Sequence, residues 1–148
     1  MSGRTVALAV VALVSATTAP IEAQKATLKW GPAPPSLPAG ARMAVISGNP
    51  GAPGPFTIRL ELPNGFTISP HFHPVDEHQT LITGRIGHGM GDTVDVRKVK
   101  WLRPGQSVVL PANVHHYVKT RGRTVVAVSA MGPLSVTYVD PKDDPRKK

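Results

Sequence analysis

Apolar and polar positions alternate too quickly along this chain for helices. No long segment repeats its apolar residues every 3.6 positions, and short β-prone runs recur instead. The runs are Met43–Ser47, Phe56–Leu62, Gly65–Ser69, His78–Thr83, Ile86–Gly89, Val99–Leu102, Ser107–Leu110, His115–Thr120, Thr124–Ala130 and Leu134–Val139. Between them lie Pro63-Asn64-Gly65, Gly84, Gly91-Asp92, Pro104-Gly105 and Arg121-Gly122, residues that set or permit turn dihedrals. Many short strands at near-regular spacing predict an all-β sandwich or barrel. Gly31 to Gly40, with Pro32, Pro34, Pro35 and Pro38, predicts an extended arm. The charged stretch from Asp140 to Lys148 predicts a solvated tail or a subunit-contacting arm.

The beginning of the chain reads differently. Met1 to Arg4 is basic, Thr5 to Ala19 is uncharged and rich in Ala and Val, and Ile21-Glu22-Ala23 offers a small-residue cleavage site. This is the layout of a secretory signal peptide, and the apolar run is short for a membrane span. The expected division is therefore a signal peptide over 1–23, an arm over 24–41, one β domain over 42–139 and a tail over 140–148. Such a protein would be secreted or periplasmic and free of the membrane after cleavage. The 148 residues contain no cysteine, which excludes a disulfide, a thiolate metal site and a cysteine nucleophile. The formal charge of +8 invites an anionic partner. The basic residues are scattered, however, and no recognition helix or aromatic platform accompanies them, so nucleic acid is not expected.

The densest chemistry lies between Gly65 and Gly84. His71 and His73 are two apart, so on an extended strand both imidazoles leave one face. Glu77 follows four residues later, and these three side chains make three legs of a mononuclear metal site. Downstream, His116 opens the apolar run Tyr117-Val118-Lys119-Thr120 and can face a barrel interior with Val118 and Thr120, while His115 turns away. Gln79 shares the face of Glu77 and could hydrogen-bond behind the ligands or replace Glu77 as one. His78 alternates outward, as a partly exposed residue or a donor behind the ligands. His88 could line the barrel mouth or lie on the surface. Asp76 is expected to orient a histidine or a turn. Phe66, Phe72 and Leu81 are expected to pack in the core or rim, and Tyr117 and Trp101 to form an exposed stacking surface or a subunit contact.

Two segments resemble the cupin superfamily. Gly65, His71, His73, Glu77 and Gly84 fit every position of the first cupin motif. Gly105, Pro111 and His116 fit the second, with Asn113 in place of a glycine and Thr120 in place of an asparagine. Asn is the non-glycine residue best able to take a left-handed turn, so the first departure is mild. The resemblance implies a single-domain, jelly-roll-like β-barrel in which His71, His73, Glu77 and His116 bind one divalent metal per subunit. Positions would remain open on the ion. It also implies a homodimer that covers exposed strand edges. A shell of three imidazoles and a carboxylate accommodates Cu, Fe, Mn, Ni or Zn, and an extracytoplasmic site favours copper by the affinity order. The size and layout are similar to those of small secreted cupins that cleave cellulose with copper. The expected function is oxidative chemistry on a plant-derived substrate, a polysaccharide such as cellulose or an aromatic compound. Glu77 would act as ligand and proton acceptor. A redox-neutral isomerase or lyase, and a sugar- or metal-binding cupin without catalysis, are the alternatives.

Overall fold

The computed structural model describes residues 27–148, so the expected signal peptide and the first residues of the arm lie outside the described residues. Nine strands follow in order: β1 (Gly31–Pro32), β2 (Arg42–Ser47), β3 (Gly54–Leu62), β4 (Thr67–Phe72), β5 (Glu77–Met90), β6 (Lys100–Trp101), β7 (Ser107–Leu110), β8 (His116–Gly132) and β9 (Thr137–Tyr138). Three short 3-10 turns are the only helical pieces among the described residues. All pairings are antiparallel and form one curled sheet, with β8 central. The first half of β8 pairs with β4 and its second half with β3, while β5 lies along nearly its whole length.

Two expected turns are bends instead. Gly84 and Gly122 hold positive φ (81° and 72°) but lie inside β5 and β8. A Cβ on Gly84 would come within 2.4 Å of the Arg123 carbonyl oxygen, so only glycine lets the strands approach this closely. The β5–β8 register shifts on both sides of Thr83, and the paired strands fold over there rather than ending.

The inner face is apolar where the ladder is regular. Phe56, Ile58, Leu60 and Leu62 of β3 meet Val126 and Val128 of β8, with Phe66, Leu81, Ile86 and Val118 completing the core. Phe66 and Leu81 thus pack as expected. The proline-rich arm folds onto its own barrel: Leu37 and Ala41 are buried, and Tyr138 Oη donates to the Ser36 carbonyl at 2.8 Å. The charged tail also folds back, since Arg146 donates both to Asp144 and to the Val136 carbonyl.

Candidate metal centre

His71 and His116 are directly opposed across the β4–β8 pairing, so their imidazoles leave the same face of the sheet. His73 lies just beyond the end of β4. The ring centroids of the three histidines are 4.3, 5.0 and 5.2 Å apart, and one nitrogen from each lies within 4.8 Å of the others. All three side chains are buried. The inward aim of His71 depends on an irregularity. Strict alternation from the buried Ile68 would turn His71 outward. The register shifts between Ile68 and His71, and Pro70, which has no N–H for a ladder bond, occupies the shift. Alternation therefore restarts in time to bring His71 inside.

Each imidazole is anchored at the same atom. Nδ1 of His71, His73 and His116 contacts the carbonyl oxygens of Ser69, Ser135 and Val114 at 2.8, 2.6 and 3.0 Å. A carbonyl only accepts, so Nδ1 carries the proton and a neutral ring presents a lone pair at Nε2. The Nε2 atoms of His73 and His116 are buried and have no hydrogen-bond partner. Leaving such an atom unpaired costs about 1–3 kcal/mol, which coordination to an ion would remove.

Glu77, at the start of β5, borders the group. Its Oε2 lies 3.3 Å from His73 Nε2 and 4.0 Å from His116 Nε2. The closer approach is not aligned as a hydrogen bond, which suits two ligands of one ion better than a bonded pair. Burial opposes charge on Glu77, but His73, His116 and the Gln79 amide outweigh it and bring the carboxyl down to about 2. Burial likewise opposes charge on His73, and the Glu77 carboxylate outweighs it, raising that imidazole. Burial, with His116 and His73 nearby, holds His71 down to about 3. Glu77 thus favours positive charge beside His73 Nε2. Three imidazole nitrogens and a carboxylate are a donor set that fits a divalent cation.

Gln79 and His88 act behind this group. Gln79 Nε2 donates to Glu77 Oε2 at 3.1 Å, and its Oε1 lies 3.0 Å from His88 Nε2. Both ends of the amide are engaged, which holds Gln79 in place to orient Glu77. Gln79 and His88 sit on one strand, nine residues apart, a span of roughly 30 Å if extended. Their contact exists because β5 bends at Thr83–Gly84 and brings its two ends together. His88 is buried in the barrel, and burial with His116 nearby holds it down to about 4. His78 is exposed and faces an outer groove.

The surrounding loops are tied to the same centre. Asp76 accepts from the Ala112 N–H at 2.8 Å, and the Asn113 N–H donates to the His73 carbonyl at 2.7 Å. Asn113 has φ 61°, the left-handed turn expected where the motif calls for glycine. Thr120 accepts from the Phe66 N–H and donates to the Pro63 carbonyl, pinning the turn before β4. His115 turns outward, stacks on Phe72 and meets Asp92 at 2.6 Å. Tyr117 differs from expectation: it is fully buried and its hydroxyl bonds the Asp95 backbone. Trp101 is covered by Arg121, whose guanidinium lies 4.3 Å from the ring centroid. A cavity of about 30 Å³ adjoins His71, His73 and Glu77, with apolar walls that include Leu37, Leu134 and Val136. Sequence reasoning missed those three wall residues and the anchoring carbonyls. A backbone acceptor leaves no side-chain signal, and Leu37 reaches the centre only because the arm folds back.

A curled antiparallel barrel holding three buried histidines and a carboxylate is the architecture of a small metal-binding β-barrel. The chain has the cupin fold. The chain matches no family model and no curated protein in sequence. Among solved structures it is similar to a proposed acetylacetone dioxygenase from Methylibium petroleiphilum PM1, with 18% identity and a TM-score of 0.61. That match covers 98% of this chain and 90% of the other. The DMSP lyase DddQ from Ruegeria pomeroyi DSS-3 gives 19% identity and a TM-score of 0.60, covering 78% of this chain and 62% of the lyase. An RmlC-like cupin from Shewanella frigidimarina NCIMB 400 gives 14% identity and a TM-score of 0.51 over 62% of this chain and 76% of the other. The chain spans less than two thirds of the lyase's own length. These likenesses support the fold and do not extend to copper-dependent cellulose cleavage.

Proposed function

We propose that this protein is a mononuclear cupin metalloenzyme in which His71, His73, His116 and Glu77 hold one divalent transition ion. The observation that carries this reading is the convergence of three Nδ1-anchored imidazoles, two with orphaned Nε2 atoms, on a buried carboxylate. Copper is the favoured ion for a secreted or periplasmic protein, with Fe, Mn, Ni and Zn as the other candidates. The bound ion would supply Lewis-acid polarisation and, for Cu, Fe or Mn, one-electron redox chemistry. The chain's own residues supply position and proton transfer. Glu77, ionised and oriented by Gln79, accepts a proton from substrate at its carboxylate. The apolar walls exclude bulk water from a space that admits only the reacting end of a substrate.

We favour an oxidase or oxygenase acting on a plant-derived aromatic compound over one acting on cellulose or another polysaccharide. A wide outer groove leads to Phe56, Val75, Ala130 and Met131, and these same residues bound a narrow cavity touching His73 and Glu77. The four residues common to both are apolar, as a flat aromatic substrate requires. Sugar chains dock on open aromatic faces, and here both tryptophans lie beside arginines. The redox-neutral lyase or isomerase reading uses the same Glu77 base without electron transfer. The protein is proposed to work as a homodimer.

The test is to load metal-free protein with Cu(II), Fe(II) or Mn(II) and measure stoichiometry and oxygen consumption with a panel of phenolic and aromatic acids. One ion per chain and metal-dependent oxygen uptake are expected. Turnover that persists without oxygen would transfer the assignment to the redox-neutral reading, and failure to bind any of the ions would overturn the metal centre.

A further inference from the structure

The hydrogen-bonded series from Glu77 through Gln79 ends at His88, whose other side borders open space. A separate cavity of about 380 Å³ lies against His88, lined also by Lys98, Lys100, Met90, Leu102, Ser107 and Val108, and by none of the four metal-centre residues. Its volume is at the lower end for a small-molecule site. His88 and Lys100 are directly opposed across β5 and β6 and so share a face. Neither Lys98 nor Lys100 forms an ion pair among the described residues. Asp95 lies three residues before Lys98, and Arg97 engages both its oxygens. Two cations thus border an apolar recess with no acidic group in its lining.

His88 provides an independent sign of a ligand. Gln79 turns its amide nitrogen toward Glu77 Oε2 and its oxygen, which only accepts, toward His88 Nε2. His88 Nε2 therefore carries the proton, and Nδ1 is left as a bare acceptor. The side chain is 4% exposed and Nδ1 has no hydrogen-bond partner. A buried acceptor without a donor, on a residue that lines the same cavity as two lysines outside any ion pair, calls for a ligand with both a hydroxyl and a negative charge.

We propose that this cavity binds a small hydroxycarboxylate. Its carboxylate sits between Lys98 and Lys100, its hydroxyl donates to His88 Nδ1, and Met90, Leu102 and Val108 cover its carbon skeleton. Binding requires no metal. Its influence on the centre, through His88 and Gln79 to Glu77, rests on the metal reading above.

The experiment is a titration of lactate into 15N-labelled protein, metal-free and loaded with Zn(II), following the His88 side-chain nitrogens by NMR. Acetate lacks the hydroxyl and lactamide lacks the charge. A saturable lactate shift at His88 Nδ1 is expected in both forms, weaker with acetate and absent with lactamide. The double variant Lys98→Ala/Lys100→Ala should bind lactate about tenfold to a hundredfold more weakly, as removal of charge-assisted hydrogen bonds implies, while the Arg pair retains binding. No saturable shift, or an undiminished one in the alanine variant, would overturn the pocket. Lactate binding without Zn(II) binding would count against the metal centre and leave the pocket standing.

Discussion

The β3–β8 ladder and the β4–β5 side of the barrel use similar strand sequences to opposite ends. From Gly54↔Gly132 to Leu62↔Thr124 the β3–β8 register runs without a shift, and every second residue of β3 enters the dry core. β4 and β5 are interrupted at Pro70 and at Thr83–Gly84, and their interruptions aim His71, Glu77, Gln79 and His88 at one point. Regular pairing perpetuates alternation, which makes a core but spreads side chains along a strand. Bulges and bends break that spacing and let distant polar groups meet. The unpaired nitrogens lie around the irregular pairings, whereas every buried residue of β3 is apolar.

Substitutions can separate the two regions. The largest effect should come from His116→Ala, which removes a proposed ligand opposite His71. Zn(II) or Cu(II) affinity by calorimetry should fall at least about a hundredfold, the upper range for losing even a supporting group, while the metal-free protein melts almost as before. Leu62→Ala should do the reverse. Urea unfolding should show a loss of about 2–5 kcal/mol from a core cavity, with one ion still bound per folded chain. A parallel loss of metal stoichiometry would mean that the two regions are not separable.

Gly84→Ala attacks the bend that joins them. Positive φ and the nearby Arg123 carbonyl should make it cost about 1–3 kcal/mol and also weaken metal binding, because the ends of β5 would no longer meet. A variant that loses stability but keeps full metal affinity would show that the bend serves packing alone.

The gentlest probe is pH, at most about 1.4 kcal/mol per unit for each proton linked. His71 and His88 are lowered from 6.5 to about 3 and about 4, so the stability from their neutral forms is present above 6.5 and lost as pH falls toward those values. Glu77 adds to the acid side, where its contribution is lost as pH drops from 4.5 toward about 2. His73 is raised, so its contribution is full below 6.5 and declines as pH rises through its folded value. Thermal melts of metal-free protein from pH 4 to 8 should peak near neutrality and fall on the acid side. A melting temperature that climbs steadily from pH 6.5 to 4 would contradict this balance.

Strand content, the grouping of His71, His73 and His116 and the turn at Asn113 were legible in the chain, because alternation, His-x-His spacing and turn dihedrals are local properties of residues and their neighbours. Phe66 and Leu81 were likewise read as packing residues. The fate of Gly84 and Gly122 was not legible: a glycine permits a turn or a bend, and the pairing of β5 with β8 chose the bend. The same holds for Tyr117, whose burial depends on Gly89 leaving room for its ring, and for Leu37, which an arm of prolines carries back to the centre. Spacing along a strand predicts which side chains share a face only while the ladder stays in register. Gln79 and His88 have opposite parity and lie nine residues apart, yet one hydrogen bond joins them. That meeting was decided by the tertiary structure, since curvature and register shifts follow from how the whole sheet closes on its core.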